Sequence, residues 1–227
     1  MKDFFWLSEL EGESETPITA TGKKLTPQQE LATLFSALAT PRGAGKDDNN
    51  KVEVKNNSIY FYSEVTRPKI LELNRSIYEV GNNLINQANL LAMPDSAPLK
   101  LHINSYGGSV FAGFSTMDYI QDSIVPVTTI VEGCAASAAT LISVVGHHRQ
   151  IRKNSFMLIH QLSSGMWGKY EEMKDAMENN NQFMRLIKDI YAEHTKLPKK
   201  KINEILKHDL WFDAETCLDY GLVDEII

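Results

Sequence analysis

The stretch Glu132-Gly-Cys-Ala-Ala-Ser137-Ala-Ala-Thr140 decides how this chain is read. It follows the strand-like run Pro126-Val-Thr-Thr-Ile-Val131 and opens a helix-like run that continues through Val145. A serine among Ala135, Ala136, Ala138 and Ala139 fills a core poorly, because these side chains bury little apolar surface. The same residues suit a junction that leaves room beside one hydroxyl, near the positive end of a helix dipole. Close helix–sheet packing is the plain alternative. Further on, Ser155-Phe-Met-Leu-Ile-His160 is a second strand-like run that ends on a histidine, where rigid backbone would aim an imidazole.

Outward from this segment, strand and helix alternate from Ser58 onward. Ile59-Tyr-Phe-Tyr62 is strand-like, and Thr66 is placed to cap a long helix. That helix carries Ile70, Leu73, Ile77, Val80, Leu84 and Leu91 at helical spacing. Leu99-Lys-Leu-His-Ile103 is a strand, Asn104-Ser-Tyr-Gly-Gly108 a turn, and Phe111, Phe114, Met117 and Ile120 mark the next helix. Gln150-Ile-Arg152 and Phe156-Met-Leu-Ile159 read as a short hairpin. A long helix spans about Lys169 to His194, and a shorter one runs through Ile202 and Leu206. The last helix follows Asp213 and ends at Gly221, a residue suited to the C′ position. Leu222 and Val223 then form a closing strand. The rhythm predicts an α/β fold.

Residues 1–56 differ in character and read as an N-terminal extension, a propeptide or a regulatory segment, ahead of one domain over residues 57–227. The extension combines acidic and Ser/Thr runs with the linker-like Pro41-Arg-Gly-Ala-Gly-Lys-Asp-Asp-Asn-Asn50. Gly43-Ala-Gly-Lys46 lacks the spacing, the following Ser/Thr and the preceding strand of a phosphate loop, so the chain has no nucleotide motor here.

With 43% apolar residues the chain has the means to build a core, and its net charge of -6 argues against nucleic acid as a partner. No apolar run approaches the length of a membrane span, and the N-terminus does not read as a secretory signal. Two cysteines, Cys134 and Cys217, make no disulfide framework and point to a reducing, cytoplasmic setting. His147-His148 has no acid or cysteine at ligand spacing and reads as a solvated turn, so neither metal nor cofactor is expected.

Acyl transfer needs a nucleophile, a base and N–H donors for an oxyanion. Ser137, His160 and the N–H groups of Gly108 and Ala138 are candidates for those parts, while a glycine pair after a strand also serves as a simple turn.

Together these motifs resemble the proteolytic subunits of the Clp protease, from about Ser58 to Ile227. Ile103-Asn-Ser-Tyr-Gly-Gly108 is similar to the family's Asn-Ser-Pro-Gly-Gly turn. Gly133-Cys-Ala-Ala-Ser137 is similar to its Gly-Gln-Ala-Ala-Ser segment, and Met157-Leu-Ile-His-Gln161 to its base segment. Lys207-His-Asp-Leu-Trp-Phe-Asp-Ala214 and the ending Tyr220-Gly-Leu-Val-Asp224 also correspond. The resemblance implies Ser137 as nucleophile, His160 as base, Asp209 as the orienting carboxylate, and Gly108 and Ala138 as oxyanion donors. It implies a crotonase-like spiral of strand-strand-helix units with a long protruding helix. It further implies homo-oligomeric heptameric rings stacked as a tetradecamer, fed with unfolded polypeptides by a partner AAA+ unfoldase that uses ATP. Substrate would lie extended along a strand after His160.

Four departures stand out. Tyr106 replaces the turn's proline, Cys134 its glutamine, and Ala138 a frequent methionine. Gln161-Leu-Ser-Ser-Gly-Met-Trp-Gly168 replaces a proline and a glycine-richer strand. The competing readings are an acyl-CoA hydratase or isomerase on the same spiral, a non-proteolytic ring subunit, and a viral head-maturation protease.

Overall fold

The computed structural model describes residues 52–165 and 167–227. Most of the expected N-terminal extension lies outside the described residues, but Val52–Lys55 at its end forms the first strand. In chain order the elements are β1 (Val52–Lys55), β2 (Ser58–Tyr62), α1 (Arg67–Leu90), β3 (Leu99–Ser105) and α2 (Val110–Gln121). There follow β4 (Val127–Ala136), α3 (Ala138–Val144), β5 (His148–Ile151), β6 (Phe156–Leu158) and α4 (Tyr170–His194). The chain closes with α5 (Lys199–Ile205), β7 (Trp211–Phe212), α6 (Ala214–Asp219) and β8 (Glu225–Ile226).

The strands form one mixed sheet in the order β1-β2-β3-β4-β5-β8. β1 runs antiparallel to β2, and the remaining neighbours along this path are parallel. Ile59, Phe61, Leu101, Ile103, Leu99 and Val131 are wholly buried, which follows from their alternation along adjacent strands. Ile70, Leu73, Ile77, Val80 and Leu84 of α1 are buried at the predicted helical spacing. Leu91 departs from that seam: it is the C-cap and is exposed. Thr66 occupies the N-cap of α1, yet its side chain makes no capping bond.

The expected hairpin of residues 150–159 does not form. β5 and β6 both run parallel to β4 instead, because β4 is long enough to offer each a separate stretch. Thr128–Val131 pairs with β5, and Cys134–Ala136 pairs with β6. The fork falls at Gly133, whose φ of +75° turns the strand, with the Asn104 amide packed against it. There the β3–β4 register also slips, between Ile103 and Ser105. β6 in turn pairs antiparallel with β7.

The closing strand lies at Glu225–Ile226 rather than at Leu222 and Val223, which are buried in the preceding turn. Gly221 does take the C′ position of α6, with φ +67°. Its N–H donates to Leu218 O at 3.0 Å and the Leu222 N–H to Cys217 O at 2.9 Å, a Schellman ending. The buried residues of α4 (Ile187, Ile190 and Tyr191) all lie toward its C-terminus, while Tyr170, Met173, Met177 and Leu186 are exposed. No helix among the described residues is long and apolar enough to cross a membrane.

Candidate active site

β4 ends and α3 begins at Ser137, whose φ of +54° and ψ of −126° are rare for a residue with a side chain. Such a conformation costs about 1–3 kcal/mol and persists only where its surroundings hold it. The holding bonds are visible. The Ser137 N–H donates to Leu158 O at 2.9 Å, and its carbonyl accepts from the Thr140 N–H at 3.0 Å and the Thr140 hydroxyl at 2.6 Å. Ala135, Ala136, Ala138 and Ala139 are buried, and a Cβ on Gly113 of α2 would come within 3.3 Å of Ala138 O. Close helix packing and an accessible serine are therefore both true of this segment.

The turn after β3 lies directly against it. Gly107 has φ +93°, and a Cβ there would stand 2.6 Å from Ala136 O, 2.7 Å from Ser137 Cβ and 3.0 Å from Ala138 N. Gly108 has φ +145°, and a Cβ there would stand 2.5 Å from Val65 O. Val65 clamps the turn: its N–H donates to Gly107 O and its carbonyl accepts from the Ser109 N–H, both at 2.8 Å. The Gly107 N–H donates to Ser105 Oγ, and the Gly108 N–H has no partner among the described residues. Tyr106, in the proline position, is exposed and packs edge-on against Trp211 with ring centroids 6.4 Å apart. An aromatic contact thus steadies a turn that a proline would stiffen through its ring.

His160 lies two residues beyond Leu158, whose carbonyl already binds the Ser137 N–H. The β6–β7 register pairs Leu158 with Trp211, and carrying it two residues further sets residue 160 opposite residue 209. Accordingly His160 Nδ1 lies 3.4 Å from Asp209 Oδ1. The histidine side chain is 16% exposed and the aspartate 72%, so the carboxylate meets the ring from the solvent side. His160 Nε2 is buried and has no hydrogen-bond partner among the described residues. The Ser137 hydroxyl makes no hydrogen bond among the described residues, so serine and histidine are not yet joined in this conformation.

Among the described residues, no strand forms between His160 and α4. The Gln161 N–H donates to Leu206 O at 3.0 Å and the Leu162 N–H to Met184 Sδ at 3.2 Å. Asn180 Nδ2 also donates to Ser164 Oγ at 2.7 Å. Side chains of α4 thus engage this segment where a strand neighbour would be needed. Cys134 is half-buried with Sγ 3.7 Å from Asn104 Oδ1, and burial pushes its thiol up, away from the nucleophilic thiolate. No cluster of metal-ligating side chains occurs among the described residues. Three contributors escaped the sequence reading: Val65, Thr140 and Tyr191, whose hydroxyl lies 2.6 Å from that of Thr140. Only Thr140, a hydroxyl in an otherwise apolar helix start, carried a local signal.

Sheet, helices and a serine held at a strand-to-helix elbow define an α/β protein of the ClpP-like fold. The Clp protease family model matches residues 53–227, and the chain belongs to that family. It is similar to the ATP-dependent Clp protease proteolytic subunit of Cyanophora paradoxa, 31% identical over 184 residues, 79% of this chain and 92% of that relative. The subunit of the same description from Deinococcus radiodurans is 28% identical over 171 residues, 74% of this chain and 84% of that relative. Among solved structures, a ClpP1 point mutant from Listeria monocytogenes shares the fold. Its TM-score is 0.65 at 23% identity, over 76% of this chain and 91% of that one.

Proposed function

We propose that this chain is a serine endopeptidase subunit acting on unfolded polypeptides, with Ser137 as nucleophile, His160 as general base and Asp209 as the carboxylate that orients the imidazole. The observation that carries the reading is the positive-φ backbone of Ser137 at the end of β4, bonded to Leu158 two residues before His160, whose buried Nε2 has no partner among the described residues. A strained serine at a strand-to-helix elbow is the arrangement that presents a hydroxyl to an incoming carbonyl.

In the reaction, His160 Nε2 takes the Ser137 proton as Oγ bonds to the peptide carbonyl carbon. The carbonyl's electron pair moves onto oxygen, facing the Gly108 and Ala138 N–H groups. The tetrahedral intermediate collapses, the C–N bond breaks, and His160 returns the proton to the leaving amine. Water, deprotonated by the same histidine, then hydrolyses the acyl-enzyme. Asp209 holds the Nδ1–H and stabilises the transient imidazolium. The open Ser137–His160 bond is one that closes when substrate orders the cleft.

Family membership supports a homo-oligomeric ring, heptameric and stacked in pairs, and the relatives' description as ATP-dependent supports a partner AAA+ unfoldase. Substrate docking falls to the free Gly108 edge, by main-chain pairing, and the segment after His160 joins it only by giving up its contacts with Leu206 and α4. Ser137→Ala is expected to abolish cleavage of a fluorogenic peptide and labelling by a fluorophosphonate while leaving native mass unchanged; full activity in that variant would sink the assignment. A non-proteolytic ring subunit is the second reading, favoured by the unjoined serine and histidine. It predicts assembled wild-type protein that neither cleaves nor takes the label.

A further inference from the structure

We infer that Tyr191 and Thr140 form a relay from α4 that holds the backbone of Ser137, and that both are positioning residues for the nucleophile. This rests on the serine peptidase reading above. The Thr140 hydroxyl lies 2.6 Å from Ser137 O and 2.6 Å from the Tyr191 hydroxyl. A hydroxyl has one proton. Since the Ser137 carbonyl can only accept, the Thr140 proton goes to it, and Tyr191 must then donate to Thr140. The direction of the chain is fixed: Tyr191 O–H to Thr140 Oγ1, and Thr140 O–H to Ser137 O.

Both members are shielded from water, Thr140 at 0% and Tyr191 at 2% exposure, so no solvent competes for these bonds. Burial also pushes the tyrosine hydroxyl up in pKa, which keeps its proton in place across the working range. Each bond polarises the next in such a chain. Ser137 O belongs to the one described non-glycine residue held at positive φ inside the proposed catalytic elbow. Rotation of that peptide would swing both the hydroxyl and the Ala138 N–H, the nucleophile and one oxyanion donor. α4 thereby acts on the elbow from behind, through side chains that touch no substrate.

The test uses the full chain with Thr140→Val, Thr140→Ser, Tyr191→Phe and the double variant Thr140→Val/Tyr191→Phe. Thr140→Val leaves the Tyr191 donor buried without an acceptor and is expected to lower Tm. The double variant removes both partners and is expected to recover much of that Tm. Activity is expected to part from stability. Thr140→Val and the double variant both lose about tenfold or more in kcat and in the rate of fluorophosphonate labelling, with KM little changed, because an ångström-scale displacement of a reacting group costs up to ~100-fold. Tyr191→Phe loses less, and Thr140→Ser, which keeps the hydroxyl, restores the rate. The inference is overturned if kcat simply follows Tm, recovering in the double variant, or if Thr140→Val keeps the wild-type rate. A wild-type protein unlabelled at Ser137 would instead defeat the peptidase reading itself, and that control separates the two failures.

Discussion

Gly107 shows how tightly one residue can be specified by its neighbours. Its missing Cβ leaves space that Ala136 O and Ser137 Cβ already occupy, and its φ of +93° is unfavourable for any side chain. The atoms in the way are backbone and a Cβ, which cannot swing aside. Gly107→Ala is therefore expected to push the turn off the elbow, with a loss in peptide cleavage of about 100-fold. The change should also lower Tm. Near-normal cleavage by this variant would mean that the turn does not position the oxyanion donors. At this scale Ser137 among alanines and His160 at the end of a strand-like run drew notice from the residues themselves, while Asp209 came only through the resemblance, and the structure sets it 3.4 Å from His160 Nδ1. Val65 and Tyr191 were silent. A valine before a helix and a tyrosine in an amphipathic helix look like ordinary core, and only the tertiary contacts give them their work.

Elements were legible to the degree that periodicity alone defines them. The apolar spacing of α1 and the C′ glycine of α6 are local signals, and the structure repeats them. Strand partners are not local. Nothing in residues 148–158 distinguishes a hairpin from two strands laid side by side on β4, since the alternation is the same for both. The ending was misplaced for a related reason: Leu222 and Val223 are buried by the Schellman turn, which mimics the apolar content of a strand. What joins these late elements is Arg149 of β5. It reaches Asp224 with Nη2 at 2.5 Å and Nε at 3.0 Å, and donates through Nη1 to the carbonyls of Gly221 and His194. The guanidinium holds the Asp224 carboxyl below the usual carboxylate range. A depressed folded-state pKa stabilises above the unfolded value, about 3.9, and that contribution fades as pH falls through the folded value. Asp224→Asn is expected to lower Tm at pH 7, with the gap to wild type closing below about pH 4. A gap of constant size from pH 7 to pH 3 would show that the ion pair is not its source.

At the scale of the whole molecule, charge and apolar surface divide the sheet. Its inner face carries the apolar core, and the opposite face carries a polar cluster centred on Glu132. There Tyr60 stacks on His102 with centroids 4.4 Å apart, and Glu132 accepts from the Tyr62 hydroxyl at 2.5 Å, from His102 at 3.0 Å and from Arg152 at 3.1 Å. Burial alone would raise the Glu132 carboxyl, but these bonds outweigh it and hold it low. Burial, with Glu132 beside it, pushes the Tyr62 hydroxyl up to about 12. The polar cluster and the apolar core meet at the fork of β4, which has a consequence for how the domain opens. The arm bearing His160 and Asp209 is joined to the main sheet by three β4–β6 pairs and internally by two β6–β7 pairs, while β2, β3 and the first half of β4 form longer ladders. Short ladders offer fewer backbone bonds to break, so the arm is expected to open as a unit of its own even though Met157, Leu158 and Ile159 are buried. Amide hydrogen exchange should register it as a boundary, with β6 and β7 exchanging well before β2 and β3; simultaneous exchange would mean the fork divides the sheet in shape but not in stability. The proposed machinery would then part along its middle, the side bearing His160 and Asp209 coming away from the side that carries Ser137.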